Sequence, residues 1–102
     1  MGIIAVILEN ERGEPIEKLE GKVHLLGKYL PVTDKSFQCL RFIDHYGDTV
    51  FNGPQMEQFS TELQNVMRNA ETKEEKDLFK RVLDMAKKCE DHPHHYLKFY
   101  GD

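Results

Sequence analysis

"TVFNGPQMEQFSTELQNVMRNA", residues 49–70, decides the fold, because the hydrophobic period changes within it. Up to Phe51 the apolar residues favour a strand, whereas Met56, Phe59, Leu63, Val66, Met67 and Ala70 recur at the spacing of one helical face. Asn52 and Gly53 suit the cap of that helix, and Pro54 suits its first turn, where a missing N–H costs nothing. Downstream, Thr72 and Glu75 stand in the Thr-x-x-Glu spacing of a capping box. A second apolar stripe follows: Leu78, Phe79, Val82, Met85, Ala86 and Cys89. The two stripes predict a long αα-hairpin, ended by Pro93.

The residues around this hairpin carry strand patterns. "IIAVILENERGEPIEKLEG" predicts a strand, a turn through Glu11, Arg12, Gly13 and Glu14, and a second strand that Pro15 confines to a sheet edge. "KVHLLGKYLP", residues 22–31, places Val23, Leu26 and Leu30 at helical spacing, but Gly27 and Pro31 keep it to a short helix. "FQCLRFI", residues 37–43, predicts a further strand, paired across the Tyr46–Gly47 turn with residues 49–51. "HHYLKFYGD" alternates, with Leu97 and Phe99 on one face and Tyr96, Lys98 and Tyr100 on the other. The expectation is a single α+β domain over residues 1–102: an antiparallel sheet of four or five strands, with the αα-hairpin and the short helix packed on one face.

Composition narrows the function classes. A chain of 102 residues buries roughly 60–70% of its unfolded surface, enough for one core. A net charge of −4 disfavours general binding to nucleic-acid phosphates and favours a basic partner. The longest apolar run, Ile3 to Leu8, is far shorter than a membrane span and lacks the flanks of a signal peptide, so the expected location is cytoplasmic, with no membrane contact. In that compartment Cys39 and Cys89 are expected as buried small hydrophobes, a disulfide being the alternative.

Three constellations carry the candidate chemistry. In "FIDHYGDTVFNG", residues 42–53, His45 beside Asp44 and Asp48 has the residue types of a general base with an orienting carboxylate, the basis for a small hydrolase or nuclease. The same residues suit a tight turn, with an aspartate bonding nearby amides. Cys89, His92, His94 and His95 are metal-ligand types, but their uneven spacing lacks the second pair of a zinc site. No metal or other cofactor is therefore expected. The third group is a protein-binding surface: the row Tyr96, Lys98 and Tyr100, with Tyr46, and the acidic hairpin residues Glu11, Glu14 and Glu17 that would steer a basic partner.

The segments "YGDTVFN" and "YLKFYGD" together resemble those of a group of small, largely uncharacterised bacterial proteins of about this length. That group has proline at the position of His45 and an aliphatic residue at that of Tyr100. The resemblance implies a shared structural corner at Tyr46, Gly47, Asp48, Thr49, Phe51 and Asn52, and carries no established activity. In general character such small acidic chains also resemble the immunity proteins that neutralise secreted bacterial toxins, by analogy and not by motif. The expected function is accordingly a non-enzymatic protein-binding module, with toxin immunity as its specific form. The apolar first strand adds a further expectation: a sheet face bearing Ile3, Ala5 and Ile7, left uncovered, would favour a homodimer.

Overall fold

The computed structural model describes residues 2–102. Four strands, β1 (Ile3–Glu9), β2 (Pro15–Leu19), β3 (Asp48–Asn52) and β4 (Tyr96–Gly101), form one sheet in the order β2-β1-β4-β3, with every neighbouring pair antiparallel. β4 thus lies between β1 and β3. Two helices, α1 (Met56–Met67) and α2 (Lys73–Asp91), pack as an antiparallel hairpin against one face. The result is the α+β class expected from the two apolar stripes.

Local chemistry sets the boundaries of these elements. The Asn52 side chain accepts from the Gln55 N–H while the Gln55 side chain accepts from the Asn52 N–H, a reciprocal cap with Pro54 in the turn leading into α1. Thr72 and Glu75 cap α2 in the same way. At the hairpin between β1 and β2, Asn10 Oδ1 accepts from the N–H groups of Arg12 and Glu14, and Gly13 takes a positive φ of 78°. Pro15 opens β2, an edge strand, as its missing N–H requires.

The core lies between sheet and helices. Phe51, Phe59 and Phe99 meet at centroid separations of 5.3 to 6.0 Å, joining β3 and β4 to α1. Ile3, Val6 and Leu8 from β1 and Leu97 from β4 join them, with Val82, Met85, Ala86 and Cys89 from α2. Residues Lys22–Tyr29 form a 3₁₀ helix, tighter than the α-type turn expected, and still bury Val23 and Leu26.

Two expectations are corrected. Residues 37–43 are not a strand, and β3 pairs with β4 instead of with them. The reason is Glu62 of α1: its carboxylate accepts from the N–H groups of Gln38 (2.6 Å), Cys39 (3.0 Å) and Leu40 (3.0 Å), the donors that a sheet ladder would otherwise use. A tight turn at Leu40–Phe42 then buries Leu40 and Ile43. The second correction concerns β1, where an irregularity between Ile3 and Ala5 breaks the alternation. Ile3 therefore belongs to the core and not to the face of Ala5 and Ile7. This takes one of its three residues from the surface on which a homodimer was expected.

Candidate functional site

The helices cover one side of the sheet, and the register places a polar and aromatic row on the other. Opposite pairs on that side are Ala5 with Tyr100, Ile7 with Lys98 and Glu9 with Tyr96 on β1 and β4, continued by Asp48, Val50 and Asn52 on β3. Tyr96, Lys98 and Tyr100 are partly buried, and Val50 is 53% exposed. The row expected from alternation is thus assembled on the face that no helix covers.

That row is braced internally. The Tyr100 hydroxyl donates to Glu9, although Tyr100 stands opposite Ala5 and Glu9 opposite Tyr96. The bond therefore runs diagonally along the face and lays the phenol ring over the intervening Ile7–Lys98 pair. Lys98 Nζ lies 4.7 Å from the Tyr100 ring centre and 3.9 Å from Asp48 Oδ2. Burial, followed by the Glu9 carboxylate, pushes the Tyr100 phenol above its ordinary pKa, and the bond to Tyr100 raises that of Lys98. Glu9 was not singled out by sequence, since it reads as one more hairpin glutamate; its burial on the tyrosine face is a consequence of strand order.

The hairpin glutamates do not act as one patch. Glu17 faces α2, with Oε1 2.6 Å from Lys88 Nζ and Oε2 3.7 Å from Arg81 Nη2, so it fastens β2 to the helix. Glu14 accepts from Asn10 Nδ2 at 2.9 Å, and Glu11 lies 3.4 Å from His94 Nδ1. Glu11 and Glu14 remain exposed, and Glu17 is half-buried.

The corner at residues 44–49 is held by its own polar groups. Asp44 Oδ1 accepts from the Tyr46 N–H at 2.8 Å, and Thr49 Oγ1 accepts from the Asp44 N–H at 2.9 Å. Gly101 donates to the Gly47 carbonyl at 2.7 Å, and Asp102 donates to the His45 carbonyl at 3.0 Å, so the two sequence segments "YGDTVFN" and "YLKFYGD" meet here. The His45 ring packs on Gly27, and its Nε2 is buried without a hydrogen-bond partner. Asp48 lies near Lys98, and neither Asp44 nor Asp48 bonds the imidazole. The three residues are adjacent but not arranged as a base with its orienter. Tyr46, 72% exposed, sits on this corner and lines a surface with Val32, Arg41 and Phe42.

Cys89, His92, His94 and His95 are likewise not convergent. Among the described residues no three His, Cys, Asp or Glu side chains are placed to hold a metal ion. Cys89 is buried and bonds the His95 carbonyl; burial first, with Glu90 adding to it, pushes its thiol up to about 11, unsuited to thiolate ligation. His92 and His95 stack with ring centres 4.9 Å apart, and His94 takes a left-handed φ of 68° where the chain turns from α2 into β4. Both cysteines are free and buried. Among the described residues no helix is long and apolar enough to cross a membrane.

In comparisons with known proteins, the chain matches no family model, no curated protein and no solved structure.

Proposed function

We propose that the chain is a non-enzymatic protein-binding module whose open sheet face receives a basic partner, with toxin immunity as the specific form of that role. The observation that carries this reading is the one-sided covering of the sheet, which leaves Tyr96, Lys98 and Tyr100 beside Ile7 and Val50 on a braced, part-apolar surface. Bracing matters energetically: a ring already held by Glu9 loses less freedom on binding than a mobile one. The net charge of −4 and exposed Glu11 and Glu14 would speed encounter with a basic surface. The resemblance to small bacterial proteins and the general likeness to immunity proteins agree with a binding role and supply no residue-level partner.

A hydrolase or nuclease built on His45 finds less support, because Asp44 and Asp48 are turned to other partners. The deciding experiment co-expresses the chain with the product of the adjacent gene in the native host. Rescue of growth by the unmodified chain, and its loss in a Tyr96→Ala, Tyr100→Ala double variant that still folds, is the expected result. A neighbour without toxicity, and no recovered partner, would remove the immunity form.

A further inference from the structure

Beyond the sheet face, a second surface gathers exposed apolar groups. Val32, Phe42 and Tyr46, which are 55%, 57% and 72% exposed, line a concavity of about 470 Å³ together with Arg41, Ile43, Asp44 and His45. That volume falls within the roughly 300–1,000 Å³ of ordinary ligand pockets. Half of the large apolar side chains exposed among the described residues, three of six, are concentrated here, which isolated surface residues would not produce.

Arg41 gives this concavity its chemistry. Its guanidinium carbon lies 4.1 Å from the Phe42 ring centre, a stack that fixes the plane of the group. Nε is buried without a partner, and among the described residues no carboxylate lies within ion-pair distance of the guanidinium. The Nη groups are the donors left for a ligand. Asp44, the one acid in the lining, directs Oδ1 to the Tyr46 N–H and packs Oδ2 toward Gly47. The pocket thus offers a planar, unneutralised cation within an apolar rim.

We propose that this pocket receives a carboxylate carried next to an apolar side chain on a partner protein. The guanidinium fork matches the two carboxylate oxygens, and the rim formed by Val32, Phe42 and Tyr46 accepts the neighbouring side chain. A singly charged carboxylate matches the charge of the Arg41 guanidinium. A doubly charged phosphate would leave excess negative charge beside Asp44, so the pocket discriminates against it.

The test is titration of the full ¹⁵N-labelled chain, followed by NMR, with four probes: N-acetyl-phenylalanine, acetyl-Phe-Glu-amide, N-acetyl-phenylalaninamide and inorganic phosphate. The expected result is millimolar binding of a carboxylate probe, with shifts confined to residues 32 and 41–46 and an affinity about tenfold above the neutral amide. Whether the free α-carboxylate or the glutamyl probe binds tells whether the natural group is a chain terminus or an acidic side chain. Arg41→Gln should abolish the carboxylate advantage while leaving weak binding of the amide; Arg41→Lys, which keeps the charge without the fork, should retain part of it. Equal binding of acid and amide, stronger binding of phosphate, shifts centred on residues 96–100, or an advantage that survives Arg41→Gln in a folded protein would each overturn the proposal.

Discussion

The hydroxyl of Tyr100, next to the end of the last strand, donates to the carboxylate of Glu9, at the end of the first, and so ties together the two central strands on the face left open by the helices. Glu9 is only 8% exposed, so its carboxylate depends on this donor in place of water. Tyr100→Phe removes the donor and leaves the ring. The expected cost is about 1–2 kcal/mol in denaturant unfolding, with Glu9→Gln costing less because a neutral amide is cheaper to bury. Equal stability of wild type and Tyr100→Phe would show that the bond contributes nothing net.

Glu62 supports a segment that has no ladder of its own. Its carboxylate accepts from three backbone N–H groups and from Gln58 Nε2 at 2.7 Å. Truncation by Glu62→Ala leaves buried donors unpaired, for an expected loss of at least about 2 kcal/mol, and amide exchange at residues 38–40 should quicken by more than the global change explains. Protection unchanged at those amides would count against the carboxylate as their anchor.

How far the sequence revealed this depends on the range of the interactions. The αα-hairpin was legible because its stripes, the Asn52 cap and the Thr72–Glu75 capping box act within a few residues of one another, although the reciprocal partner of Asn52, Gln55, was not read. The row Tyr96, Lys98 and Tyr100 was legible because strand alternation is local. Residues 37–43 were misread as a strand because their aromatic and β-branched content carries no trace of Glu62, more than twenty positions away. The Ile3 irregularity and the Glu9–Tyr100 bond depend on which strand lies beside β1, and strand order is not written in any single segment. Glu17 read as a residue that would steer a basic partner, and only the packing of α2 revealed Lys88 and Arg81 as its cations.

Acid should unfold the protein in a defined window. The Tyr29 hydroxyl, at 2.7 Å, leads the groups that hold the Glu75 pKa down, against burial; the Thr72 and Glu71 N–H groups and Lys28 add to it, giving about 2 in place of 4.5. Burial alone would raise Glu62, but its hydrogen bonds outweigh burial and hold it below the ordinary value. Since both folded values are depressed, the stabilisation is complete above the unfolded pKa near 4.5 and is lost as pH falls from there toward about 2. Denaturant midpoints measured across this range should fall, and Glu75→Gln should flatten the fall. A profile of Glu75→Gln parallel to wild type would contradict the assignment.

Gly101 is required by close approach. A Cβ there would lie 2.5 to 2.6 Å from the Asp44 carbonyl oxygen and from the His45 carbonyl group, backbone atoms that cannot swing aside. Gly101→Ala should therefore cost at least about 2 kcal/mol, with NMR shifts at residues 44–47. Gly13→Ala, strained by its positive φ but open to solvent, should cost less, about 1 kcal/mol. A reversed order would show that the corner is looser than its hydrogen bonds imply.

The open sheet face is tested most directly by parallel affinity capture from the native host with the unmodified chain and with a folded Tyr96→Ala, Tyr100→Ala variant, combined with light scattering of the free chain. The account predicts a monomer that retains a specific basic protein at low salt, releases it as salt rises, and fails to retain it once both tyrosines are removed. Recovery of the same proteins by both chains, or a homodimer that buries the tyrosine row against its own copy, would contradict it.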